Sequence, residues 1–191
     1  MYTREEMKVA LKSKMTEKRY EHTLGVEYTC ACLAMRYGID MEKAMTAGLL
    51  HDCAKHLLPE KKLQKCKKYN LPIQEFERKN PELLHAKLGA YFAEHKYGVK
   101  DTEVLSAITW HTTGRPAMTM LDKIVYIADY IEPNRNQAPN LSVVRDLAFK
   151  NIDLCLLTIL EDSLDYLDKK KAAVDPMTKE TYDYYVNCVE K

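Results

Sequence analysis

The chemistry of this chain starts from four side chains: His22, the adjacent pair His51-Asp52, and Asp129. His51-Asp52 ends an apolar run, Ala47-Gly48-Leu49-Leu50, and Ala54 follows closely. Asp129 interrupts the stretch Ile124-Val125-Tyr126-Ile127-Ala128-Asp129-Tyr130-Ile131. Polar groups in such surroundings are costly unless something satisfies them. Imidazole and carboxylate together suit a borderline divalent cation: iron, manganese, zinc or nickel. Four protein ligands on a six-coordinate ion leave positions for water and a substrate oxygen, which makes the site catalytic rather than structural. Water bound there loses a proton more easily and becomes a nucleophile near neutral pH. The competing reading of Asp129 is an ion pair with Arg135 or Lys123. It ranks lower, because interrupting an apolar helix for an ion pair seldom stabilises.

Further groups follow helix by helix. His85 in Leu83-Leu84-His85-Ala86 and His111 in Trp110-His111-Thr112-Thr113-Gly114 either ligate a second metal or hydrogen-bond a phosphate as imidazolium. His56 and His95 read as ordinary surface histidines. Arg19 lies three residues before His22, on the same helical face. Lys55 lies four residues beyond His51 and three beyond Asp52, and Arg135 follows the Asp129 helix after Pro133. Solvated surface charge is the better reading for Lys18 and Lys123. For Arg19, Lys55 and Arg135, the placement beside the ligands favours phosphate binding. Metal, cations and activated water together indicate hydrolysis of a phosphate ester or anhydride.

The elements that must position these groups are helical throughout. Thr3 with Glu6 forms a capping box for a helix to about Lys14, and Thr16 caps a second that runs to Gly38. Asp40 opens a third, on which His51 and Asp52 stand about 100° apart; it ends before Pro59. A charged helix runs from Glu60 to Tyr69. Asn80-Pro81 caps one from Glu82 to Tyr97, with Gly98 as its terminator, and Asp101 caps one to about Thr113. Thr119 caps the helix of Asp129, which Pro133 ends. A long amphipathic helix is expected from Ser142 to about Lys171, its apolar positions from Val144 to Leu167 following a 3.6-residue period. A short tyrosine-rich segment follows Asp175-Pro176. With no alternating strand pattern, repeat or linker, the fold class is a single all-α domain of about eight to ten helices.

Composition excludes several classes. The 191 residues suffice for one domain with a real core. The balance of 46% hydrophobic and 30% charged residues is that of a soluble globular protein. A net charge of +1 gives no global argument for nucleic acid or membrane. No apolar run approaches the ~20 residues of a transmembrane helix, and the N-terminus lacks the apolar core of a signal peptide. The six cysteines, Cys30, Cys32, Cys53, Cys66, Cys155 and Cys188, form no Cys-x-x-Cys pair. Free buried thiols and a cytoplasmic location are expected.

The ordered set His22, His51-Asp52, Asp129, with His85 and His111 between, resembles the HD-domain metal-dependent phosphohydrolases. Within them, Lys18-Arg19-Tyr20-Glu21-His22-Thr23-Leu24-Gly25-Val26, Gly48-Leu49-Leu50-His51-Asp52-Cys53-Ala54-Lys55, His111-Thr112-Thr113-Gly114 and Ile127-Ala128-Asp129-Tyr130-Ile131-Glu132-Pro133-Asn134-Arg135 resemble the YqeK-type symmetrical dinucleoside tetraphosphate hydrolases. Cys53 stands where many relatives carry an aromatic residue. The resemblance spans about Thr16 to Tyr185. It implies an HD core over about 16–135, followed by a C-terminal helix and tail over 142–191. It also implies hydrolysis of diadenosine tetraphosphate at its centre to two ADP, with iron as the metal. It assigns His22, His51, Asp52 and Asp129 to the metal. Around the phosphates it places Arg19, Lys55, His85, His111, Thr112 and Arg135, with Lys55, Asp52 and His111 as catalytic residues. The tail Ala173–Thr178 would help hold a nucleoside, Thr178 among its contacts. The partner is then a small nucleotide rather than nucleic acid or membrane. A nucleotidase or nucleoside triphosphate hydrolase, and a non-catalytic nucleotide sensor, are the alternative functions. Tyr182, Tyr184 and Tyr185 are expected on the core, with a nucleobase or a second subunit of a homodimer as the other surfaces they suit.

Overall fold

The computed structural model describes residues 2–189, which form eleven α-helices and one 3-10 turn and contain no strand. The first elements follow their caps. Thr3 and Glu6 close a capping box on α1 (Arg4–Lys12). Thr16 caps α2 (Glu17–Tyr37), which Gly38 ends in the left-handed region. Asp40 caps α3, which spans Met41–Leu50.

Here the chain departs from the expected continuous helix. His51 is already the C-cap of α3, and residues 51–56 form turns. The backbone tightens to bonds of i→i+3 type, Cys53 N to Leu50 O at 3.0 Å and Lys55 N to Asp52 O at 2.9 Å. His51-Asp52 is therefore carried on a helix end, not on a regular helical face. Helix α4 is Pro59–Lys68, with proline at its first position.

A further short helix, α5 (Glu75–Lys79), is closed by a Gln74–Glu77 capping box. Five residues are too few to leave a periodic signature in sequence. The expected Glu82–Tyr97 helix is a 3-10 turn, Pro81–Leu83, followed by α6 (Leu84–His95). Helix α7 (Thr102–Trp110) stops with His111 as its C-cap, short of Thr113, and α8 (Met120–Ile131) starts from a Thr119–Asp122 capping box.

The expected Ser142–Lys171 helix is two helices, α9 (Leu141–Lys150) and α10 (Ile152–Lys169). Asn151 is extended, at φ −148°, and its side chain accepts from Leu154 N to cap α10. The break is hidden in sequence because Ala148 and Ile152, on either side of it, are both buried. The tyrosine-rich end is a helix of its own, α11 (Pro176–Val189).

The core lies between α2, α3, α7, α8 and α10, through Val26, Leu50, Ile108, Ile124, Ile127 and Ile159. Helices α2 and α3 are the closest packed. A Cβ at Gly48 would stand 2.9 Å from Cys30 Sγ and 3.1 Å from Glu27 Cα, so only glycine permits this approach. A second apolar cluster, Ala54, Cys66, Leu84 and Leu88, ties the turn after Asp52 to α4 and α6. Cys30, Cys53, Cys66 and Cys155 are buried free thiols, while Cys32 and Cys188 are exposed rather than buried. No helix among the described residues is long and apolar enough to cross a membrane.

Helix α11 is fastened by Tyr185, which is 2% exposed and whose hydroxyl accepts from Met118 N–H at 3.0 Å. Tyr182 packs against the core in part, and Tyr184 is 39% exposed, contrary to the expectation that all three pack inward. Tyr185→Phe leaves a buried donor unpaired and is expected to cost about 1–3 kcal/mol. A urea denaturation midpoint unchanged from the wild type would contradict this.

Candidate metal centre

Six polar side chains from five elements meet in the core: His22 on α2, His51 and Asp52 after α3, His85 on α6, His111 after α7, and Asp129 on α8. The histidines are oriented by one repeated device. His51 Nδ1 lies 2.6 Å from Gly48 O, His85 Nδ1 2.5 Å from Glu82 O, and His111 Nδ1 2.7 Å from Ile108 O. Each carbonyl is three residues earlier in the chain. His22 Nδ1 lies instead 3.1 Å from Glu132 Oε1. With Nδ1–H donating, every Nε2 carries a lone pair.

Those Nε2 atoms converge. His85 Nε2 and His111 Nε2 are 3.1 Å apart. Asp52 Oδ1 is 3.2 Å from the first and 3.6 Å from the second. His22 Nε2 is 3.0 Å from Asp129 Oδ1, and His51 Nε2 is 3.7 Å from Asp52 Oδ2 and 3.9 Å from Asp129 Oδ1. Two overlapping sets have ligand atoms within 4.8 Å of one another: His22, His51 and Asp129; and His51, Asp52 and His111.

The protonation states of His51, His85, Asp52 and Asp129 suit a cation, whereas His22 must give up its Nε2 proton to bind one. Burial pushes His51 down to about 4, against the pull of Asp52 and Asp129, so its ring is neutral. Burial also lowers His85. Burial would raise Asp52, but His51, His111 and His85 hold it well below its usual range. For Asp129, the His22 hydrogen bond and His51 likewise overcome burial. Burial opposes charge on His22, yet Asp129 and Glu132 raise it overall. His51 Nε2 is buried without a hydrogen-bond partner, a cost that coordination would remove. Two carboxylates and several imidazoles with inward lone pairs are a donor set that fits a divalent metal.

Cations ring the cluster. Arg19 Nη1 donates to Asp52 Oδ2 at 2.7 Å. Arg135 Nη2 donates to Asp129 Oδ1 at 2.9 Å and its Nε to Asp129 O at 3.0 Å. The Asp129–Arg135 ion pair, ranked lower from sequence, therefore forms: the side chain is 24% exposed, so the desolvation cost is smaller than the apolar flanks suggest. Lys123 pairs with Asp153 instead, at 2.5 Å. Lys55 Nζ is 3.3 Å from His85 Nδ1, and burial lowers its pKa despite Asp52 and Glu82.

One cavity opens on the cluster and a second lies on the far side of Thr112. The first, of about 620 Å³, is lined by Arg19, His22, His111, Asp129 and Arg135, with Lys18 beside them. The other, of about 790 Å³, is lined by Tyr91, Trp110, Thr113, Pro176 and Met177. Thr112 lines both, its Oγ1 3.2 Å from His111 Nε2 and 3.3 Å from His85 Nε2. The tail reaches the second cavity through Asp175–Met177, while Thr178 is buried and is not among its lining residues. His56 is exposed, and His95 is exposed and stacks on Tyr91 at 4.0 Å.

Sequence reasoning passed over two contributors. Glu132 is 1% exposed, and its second oxygen accepts from Asn134 N at 2.7 Å. A carboxylate closing an apolar helix just before proline was the available signal. Gly25 makes room for it: a Cβ there would lie 2.3 Å from Glu132 Oε2. Lys62 is the other, fully buried and paired with Glu82, whose carbonyl faces His85. In the charged run of α4 nothing set it apart.

The HD domain model matches residues 19–134. The symmetrical bis(5'-nucleosyl)-tetraphosphatase of Bacillus subtilis is 41% identical over 184 residues, covering 96% of this chain and 98% of that protein. The enzyme of the same name from Staphylococcus aureus is 38% identical over 95% of this chain and 93% of its own length. A crystal structure from Clostridium acetobutylicum, described as a predicted HD superfamily hydrolase involved in NAD metabolism, superposes with a TM-score of 0.95. It is 37% identical, covering 98% of this chain and 99% of that one.

Gly25→Ala is expected to displace Glu132 and release His22. Affinity for a divalent cation should fall about 10–100-fold, the usual cost of losing an outer-shell partner. Wild-type Mn2+ affinity in calorimetric titration of this variant would show that Glu132 does not hold His22 for the metal.

Proposed function

The chain belongs to the HD-domain family, and on that footing we propose that it is a symmetrical bis(5'-nucleosyl)-tetraphosphatase, hydrolysing diadenosine tetraphosphate and related dinucleoside polyphosphates to two nucleoside diphosphates. The geometric observation that carries this reading is Thr112, which lies beside His111 and borders both cavities. A substrate with a nucleoside at each end and its scissile bond in the middle calls for two cavities flanking one hydrolytic centre. A mononucleotide substrate, or a sensor that only binds nucleotide, calls for one.

In this reading His22, His51, Asp52 and Asp129 hold a divalent metal, with iron the preferred ion and manganese, zinc or nickel compatible with the same donors. When bound, the metal supplies Lewis acidity and lowers the pKa of water. His85 and His111 either ligate a second ion through their Nε2 lone pairs or, as imidazolium, donate from Nε2–H to a phosphate oxygen. Arg19, Lys55 and Arg135 bind the phosphates and offset charge that develops as the bond breaks. Water adds to one of the two central phosphorus atoms and the central P–O–P bond breaks. One ADP leaves with the bridging oxygen, and the other carries the oxygen of water. The leaving group is a phosphate, so a strong general acid is not required. Lys55, Asp52 and His111 are the residues whose loss should abolish turnover.

The HD core occupies about 16–135, and the segment 142–191 completes the same domain. The tail at Asp175–Met177 lines the more apolar cavity and holds the nucleoside there through Pro176 and Met177.

Incubation of iron-loaded protein with diadenosine tetraphosphate should give ADP as the sole nucleotide product. ATP plus AMP would contradict symmetrical cleavage, and faster turnover of mononucleotides would favour the nucleotidase reading. Tight ADP binding without turnover under any metal would favour the sensor. Asp52→Ala should lose metal and activity together, and full activity in it would remove Asp52 from the ligand set.

A further inference from the structure

The turn that follows α8 grips the cluster at two points while being almost wholly exposed. Pro133, Asn134, Arg135 and Asn136 are exposed, and only Glu132 is buried. Glu132 faces His22 Nδ1 at 3.1 Å, and Arg135 donates to Asp129 at 2.9 Å. Such a turn has little packing of its own to fix these distances.

One side chain from elsewhere in the fold holds it. Arg145, on α9, donates from Nε to Ile131 O at 2.9 Å, and from Nη2 to Glu132 O at 2.9 Å and to Arg135 O at 2.8 Å. The first two carbonyls belong to the C-terminal end of α8, where helical partners run out and a cation is favoured by the helix dipole. A planar guanidinium can donate in several fixed directions at once, which a lysine ammonium cannot reproduce. Helix α9 is itself anchored to α2, the helix of His22. Tyr37 Oη donates to Ala148 O at 2.8 Å and Arg36 Nε to Phe149 O at 2.5 Å. The connections close a ring: α2 carries His22, Glu132 meets His22, Arg145 holds the Glu132 turn, and α9 returns to α2.

We propose that Arg145 is a positioning residue for the metal centre, clamping the 132–135 turn so that Glu132 keeps its hold on His22 and Arg135 its hold on Asp129. The proposal rests on the reading of His22 and Asp129 as metal ligands. Arg145 lies beyond the segment that the HD domain model matches, residues 19–134. The C-terminal helices therefore help to build the centre as well as cover it.

The test is calorimetric titration of Mn2+ into the full-length wild type, Arg145→Met, Arg145→Lys, Glu132→Gln and the Arg145→Met/Glu132→Gln double variant, with folding checked by circular dichroism. Arg145→Met should weaken Mn2+ binding about 10-fold, and lysine should restore only part of that. The double variant should bind no more weakly than the weaker single variant, because both break the same link. Losses that simply add would show that Arg145 does not act through Glu132, and wild-type affinity in the methionine variant would overturn the proposal. If that variant fails to fold, wild-type affinity in Arg145→Lys overturns it. Absence of Mn2+ binding by the wild type would instead overturn the metal reading beneath it.

Discussion

Everything in this fold answers to one constraint: six polar side chains share a space inside an apolar core, and each must be fixed from behind. Histidine makes this feasible because its two nitrogens divide the labour. Nδ1–H satisfies a local acceptor while Nε2 presents a lone pair inward. In His51, His85 and His111 the acceptor is a carbonyl three residues earlier, so the orienting bond forms within the same turn of chain. His22 sits in the second turn of α2, where backbone carbonyls are committed to the helix. It takes a carboxylate from α8's end instead. That single difference explains why Gly25 must be glycine and why Glu132 is buried.

The same constraint accounts for where helices stop. His51 and His111 are C-caps, positions at which carbonyls become available and the side chain can swing off the helical face. A longer α3 or α7 would have committed those carbonyls and turned the rings aside. The apolar helices provide the rigid frame, and the helix ends provide the chemistry. Arg19 and Arg135 then bring positive charge to two ionised carboxylates, leaving a cluster able to meet a polyphosphate without net repulsion.

The C-terminal third belongs to this architecture. Helices α10 and α11 complete the core through Ile159 and Tyr185, and the start of α11 lines the more apolar cavity. Helix α9 braces the turn that carries Glu132 and Arg135.

The sequence by itself determined the all-α class, most helix starts, and the candidate ligands. Those signals are local: Thr3, Thr16, Asp40 and Thr119 cap within three residues, and a histidine or aspartate inside an apolar run is conspicuous wherever the run folds. It did not determine that the helix after Ser142 breaks at Asn151, because core-facing residues on both sides preserve the period. It did not reveal that Lys62 is buried or that Glu132 supports His22, because a charged residue's burial depends on what distant elements bring over it. The Asp129–Arg135 pair and the placement of Thr112 on the walls of both cavities were also decided only in three dimensions. Caps and periodicity are properties of neighbours in the chain. Burial of charge, ring orientation and cavity shape are properties of neighbours in space, and those are set when α2, α3, α7 and α8 close on one another.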